Sequence, residues 1–142
     1  MSRIVAGVAG ATLLLTALTG CGTSPYCKAV EDNKVALNSL GEQKTNAAYV
    51  EYAQAFRAVV QVAPAGIRKD WSRLADVTQG VVVAQRKAGI SLEDMLVPDK
   101  IAQVPPDKLK LLNDAYEAFN NTTAERKAVV KNVKDECGIV LS

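Results

Sequence analysis

From Pro25 onward, apolar residues recur at every third or fourth position and no stretch keeps a period of two, a pattern that predicts helices and no strands. A first helix is expected from about Pro25 to Leu40, with Cys27, Val30, Leu37 and Leu40 near one face and Gly41 placed to end it. A second, about Asn46 to Ala63, carries the stripe Tyr49, Tyr52, Phe56, Val59 and Val60. Pro64 suits the first turn of a third helix to Ala88, which lines up Ile67, Trp71, Leu74 and Val81 and stops at Gly89. Its Gly80-Val81-Val82-Val83 stretch has low helix propensity, so packing is expected to hold it. Ser91 with Asp94 supports one short capped turn, and Pro98 and Pro105-Pro106 bracket a linker. A fourth helix, about Pro106 to Phe119, presents Leu109, Leu112, Tyr116 and Phe119 before Asn120-Asn121 breaks the pattern. Thr122 and Glu125 have capping-box spacing and open a fifth helix to about Glu136, with Val129, Val130, Val133 and Cys137 inward and Gly138 as its stop. The expected fold is all-α, a compact bundle of four to five helices. Asn120 to Thr123 also match the N-glycosylation pattern but are read only as a turn.

The opening of the chain follows another plan. Arg3 is the one charged residue before an apolar run from Ile4 to Leu18, which ends in small residues as a secretory signal does. The run falls short of the ~20 apolar residues that span a bilayer, so a permanent transmembrane anchor is the weaker reading. It ends in Leu18-Thr19-Gly20-Cys21. That tetrad resembles the lipobox of bacterial lipoproteins, an aliphatic residue and two small ones before a cysteine. The resemblance implies that the Cys21 thiol receives a diacylglycerol and that the peptide bond before it is cut. Residues 1–20 are then the signal peptide, 21–26 a lipid-anchored tether and 27–142 a single helical-bundle domain, held on the extracytoplasmic face of the cell membrane. One acyl chain holds only marginally at about 0.8 kcal/mol per buried CH₂, whereas two or three give stable attachment.

With Cys21 carrying lipid, Cys27 and Cys137 remain, and in an exported protein two thiols most simply form a disulfide; a pair of buried free thiols is the alternative. In such a bundle the first and last helices are expected to pack antiparallel, which brings the start of the one to the end of the other, where this bridge would join them. The Cys27-x-x-Val30 start, the proline-started helix with Trp71 and the Cys137-Gly138-Ile139 end resemble small all-helical lipoproteins and secreted proteins of high-GC Gram-positive bacteria. That resemblance implies a fold and an envelope location and no activity.

Composition narrows the chemistry. Without Arg3 the chain has sixteen Lys+Arg against fifteen Asp+Glu, which lacks the basic excess that nucleic acid selects. It has no histidine, which removes serine–histidine and cysteine–histidine catalysis and leaves no ligand set for a zinc site. The pairs Glu31-Asp32, Glu93-Asp94 and Asp135-Glu136 are adjacent in sequence, and adjacent helical residues diverge. No catalytic residue, metal or cofactor is expected. Asp135-Glu136 opposes the dipole at a helix end, with Lys134 and Lys28 as candidate counter-charges. Lys127, Lys131 and Lys134 form a basic stripe, either the water-facing side of the last helix or a contact for anionic headgroups. From Cys21 to Cys27 the chain spans only ~20 Å, so the bundle is expected to ride close to the membrane. The aromatic residues sit at core spacing, and Ala53, Ala55, Ala58 and Ala63 leave room for a ligand beside them. The first expectation is a non-enzymatic module that binds an envelope protein. The alternative is a carrier or sensor of a small apolar ligand held between helices.

Overall fold

The computed structural model describes residues 23–39 and 45–142, among which every regular element is helical and there is no strand. The helices are α1 (Pro25–Asp32), α2 (Lys34–Asn38), α3 (Asn46–Val62), α4 (Ala65–Ala88), α5 (Pro98–Ile101), α6 (Pro106–Asn120) and α7 (Thr123–Cys137), with a single 3₁₀ turn at Asp94–Leu96. Residues 1–20, expected to be a signal peptide, and Cys21, Leu40 and Gly41 lie outside the described residues.

The organising element is α4, about 36 Å long at 1.5 Å per residue, which packs most extensively against α3 and α6 and also against α7. Its buried face carries Ile67, Trp71, Leu74, Val77 and Val81. Around Trp71 these meet Val30, Tyr52, Phe56, Val59, Phe119, Val129 and Val133 in the main core. A smaller cluster of Ala84, Ile90 and Leu112 sits at the other end of α4, under Met95, Ile101 and Val104. The valine-rich stretch is continuous helix because Val77, Thr78, Val81 and Val82 are all buried, so packing outweighs low propensity.

The first and last helices are antiparallel. Cys27, in the opening turn of α1, is bonded to Cys137, the final residue of α7, with Cα atoms 5.3 Å apart. Farther along, Leu37 of α2 shares a wall with Val129 and Val130, which lie earlier in α7.

Three local expectations need correction. The first helix is broken at Asn33, whose side-chain amide donates to the Ala29 carbonyl at 2.8 Å and competes with the backbone for it, so α2 restarts at Lys34. Thr122 does not cap α7: its hydroxyl turns back to donate to the Phe119 carbonyl at 2.7 Å, and no capping box forms. The stretch between Pro98 and Pro105 is not a plain linker, since Pro98 occupies the first turn of α5. The Ser91–Asp94 cap is present: Ser91 Oγ accepts from the Asp94 amide at 3.0 Å and Asp94 Oδ2 from the Ser91 amide at 3.5 Å.

Two glycines, one inside α4 and one that ends it, predict opposite outcomes. Gly80 is in mid-helix and an added Cβ meets nothing within 4 Å, so Gly80→Ala is expected to stabilise by roughly 0.5–1 kcal/mol. Gly89 ends the helix at φ +70°, and Gly89→Ala is expected to destabilise by about 1 kcal/mol although its surroundings are also open. Urea unfolding of both variants reads the signs; two shifts of the same sign would contradict this account.

Candidate functional site

Below the disulfide, the bundle axis is tied by polar contacts inside the core. Trp71 Nε1 donates to the Tyr26 hydroxyl at 3.1 Å, and that hydroxyl donates to Asn132 Oδ1 at 2.8 Å. The Tyr26 ring stands edge-on to Trp71 at 6.5 Å, and Phe56 flanks Trp71 at 5.7 Å. These contacts position one wall of a cavity of about 310 Å³ where α2, α3, α4, α6 and α7 converge. Tyr52 and Phe56, Trp71 and Leu74, Phe119, and Val129 with Val130 supply most of its lining. The segment after Gly138 folds back across it: Leu141 is buried against the core, and the Ser142 amide donates to Asn38 Oδ1 at 2.9 Å.

Among the described residues, Arg126 is the one charged side chain in this lining. Its guanidinium lies over the Phe119 ring, 4.5 Å from the centroid. Nε donates to Thr122 Oγ1 at 3.0 Å and Nη2 to the Phe119 carbonyl at 2.7 Å. Thr122 is fully buried and fixed by its own bond to that carbonyl, so the arginine is held from behind. Among the described residues no carboxylate lies within 4 Å of it. The Tyr52 hydroxyl likewise meets no hydrogen-bond partner among the described residues. Burial pushes the Tyr52 phenol well above its ordinary value, while the Arg126 charge works the other way.

Burial acts on every tyrosine in the chain. Tyr116 is pushed up to about 12, chiefly by burial and further by Tyr49, with the Gln85 hydrogen bond opposing. Tyr26 and Tyr49 are raised by the same main cause. The folded chain therefore keeps protons that the unfolded chain releases above its ordinary value of 10.0. Stability is fully present below pH 10 and declines as pH rises from there towards about 12. An alkaline titration should show tyrosinate absorbance appearing together with unfolding; phenols titrating near 10 in a folded chain would contradict it.

The expected site residues fall into separate places. The aromatics Tyr52, Phe56, Trp71 and Phe119 line the cavity, whereas Tyr49 and Tyr116 pack edge-on to each other at 6.3 Å outside its lining. None of the four alanines lines it: Ala53, Ala55 and Ala63 are buried in helix packing and Ala58 is exposed. Lys127, Lys131 and Lys134 are all exposed on α7. Lys131 pairs with Asp135 one turn on, so the counter-charge at this helix end is Lys131; Lys28 is instead bound to Asp32 at 2.8 Å. The other acid pairs are also engaged at the surface, Glu31 with Lys34 and Asp94 with Lys100, while Glu93 accepts from the Asn46 amide at the start of α3. Among the described residues no group of three acids and cysteines could hold a metal, and no helix is long and apolar enough to cross a membrane.

Sequence reasoning missed Arg126 and the Leu141 strap. A signal for the arginine was present: Arg126, Val129 and Val133 follow the three-then-four spacing of the buried stripe, so a cation occupies a core-facing position. No known family model, curated protein or solved structure matches this chain.

Proposed function

We propose that this protein is a bacterial lipoprotein, anchored through lipid on Cys21 to the extracytoplasmic face of the cell membrane, whose bundle is a non-enzymatic carrier or sensor of a small apolar ligand. The observation that carries the ligand reading is the cavity of about 310 Å³ between helices, within the size range of small-molecule sites and walled by aromatic and aliphatic side chains with few polar groups. A docking surface for an envelope protein has weaker support. The large apolar side chains left exposed include Val50 and Val62 on α3, which stand about 18 Å apart along the helix, as well as Val35, Leu96, Val97 and Val140 on other elements. The anchor reading rests on Leu18-Thr19-Gly20-Cys21 after an apolar run. It gives Lys127, Lys131 and Lys134 a role as headgroup contacts, since Lys134 lies in the last turn of α7, beside the disulfide that ties in Cys27.

Two measurements test the two halves. Fractionation of cells should place the wild-type chain in the membrane with a mass beginning at an acylated Cys21, and Cys21→Ser should release it or leave it unprocessed. An unmodified wild-type chain retaining residues 1–20 would overturn the anchor. For the cavity, the neutral probe N-phenylnaphthylamine should bind at one saturable site that Val130→Phe closes by filling the space. Absence of saturable binding to the wild type, or binding unchanged in the filled variant, would remove the carrier reading.

A further inference from the structure

We infer that the cavity takes an amphiphile with an anionic oxygen head, a carboxylate or a phosphate, which Arg126 receives while the apolar body lies among the aromatic rings. The inference rests on the carrier reading above and specifies its ligand. A guanidinium on the wall of an otherwise apolar space is costly to dehydrate unless its N–H groups find acceptors. Two of these groups are satisfied by Thr122 and by the Phe119 carbonyl, and both contacts hold the side chain rather than neutralise it. With no carboxylate within 4 Å among the described residues, the charge and the remaining N–H groups are available to an occupant.

The geometry selects the head. Stacked on Phe119 and pinned at Nε and Nη2, the planar fork keeps a fixed orientation, which favours the two-point acceptors carboxylate and phosphate over a single hydroxyl. The Tyr52 hydroxyl, lining the same space and without a partner among the described residues, can donate one more hydrogen bond to the same head. An ammonium head would meet a like charge. A neutral alcohol would leave most of the guanidinium donors unpaired.

Trp71 is the only tryptophan of the chain and lines the cavity, so its fluorescence reports occupancy without a label. Decanoate, decyl phosphate, decanol and decylamine, each titrated below its micelle concentration into the full processed protein, share one tail and differ in the head. At least one of the two anions is expected to bind about tenfold or more tighter than decanol, with the tighter one naming the head, and decylamine is expected to bind weakest. In Arg126→Gln the anion should lose its advantage over decanol while decanol still binds at a saturable site, which a collapsed cavity would not produce. If that variant does not fold, Tyr52→Phe and Arg126→Lys should each reduce the anion's advantage over decanol while decanol still binds at a saturable site. Equal affinity for anions and decanol in the wild type would overturn this inference and leave the carrier reading standing. Failure of all four to bind would overturn both.

Discussion

Replacing Cys27 and Cys137 together by serine is expected to lower the stability of the folded chain by about 2–5 kcal/mol. The bridge joins residues 110 apart in sequence, so the unfolded chain without it regains the freedom of a very long loop. The loss is not only in the unfolded state. The bridge fixes the opening turn of α1 against the end of α7, and Tyr26, next to Cys27, depends on that placement to reach both Trp71 and Asn132. Urea unfolding of the oxidised protein and of the double-serine variant measures the difference. Equal midpoints with equal slopes would show that the helices hold this register unaided.

Trp71→Ala is expected to cost about 3–5 kcal/mol, at the upper end for a single core truncation. Trp71 has no exposed surface, sits on the buried face of the central helix and touches both Tyr26 and Phe56 through its ring. Its removal also strips the Tyr26 hydroxyl of a donor, adding a polar loss to the lost packing. The two parts separate in a double-mutant cycle with Tyr26→Phe: coupling of about 0.5–3 kcal/mol is expected, and simple additivity would mean that the hydrogen bond contributes nothing beyond burial. Because Trp71 lines the cavity, the alanine variant should also lose ligand selectivity before it loses its helices.

Most of the fold could be read from the sequence where a residue type carries a backbone instruction. Pro64 and Pro106 set helix starts, Gly89 and Gly138 stop helices with φ of +70° and +67°, and Asn121 closes α6. The stripe Ile67, Trp71 and Leu74 identified the central face because apolar spacing and burial coincide there. Two of the three corrected expectations share a cause: a polar side chain chose between a backbone partner nearby and one the pattern assumed. Asn33 took the Ala29 carbonyl and split the first helix, and Thr122 took the Phe119 carbonyl in place of an α7 amide. At Thr122 that choice has a consequence for the site, since it turns the hydroxyl oxygen towards Arg126.

The candidate site was legible only in part. Tyr52, Phe56, Trp71 and Phe119 were identified as inward, but an inward stripe reads alike whether it meets a packed neighbour or a space. The space exists because five helices converge without closing, a property of their relative placement that no local window contains. The strap is also non-local, because Leu141 and Ser142 are held by partners about a hundred positions earlier, such as Asn38. The proposed anchor is the opposite case, a four-residue local signal read entirely from sequence.

The most direct test of the central claim, that the anchored bundle carries a small ligand between its helices, is native mass spectrometry of the protein released gently from its own membrane. The account predicts a discrete non-covalent adduct on an acylated chain, lost on denaturation and absent from the Val130→Phe variant prepared in the same way. A bare wild-type protein, or an adduct that the filled variant retains, would contradict it.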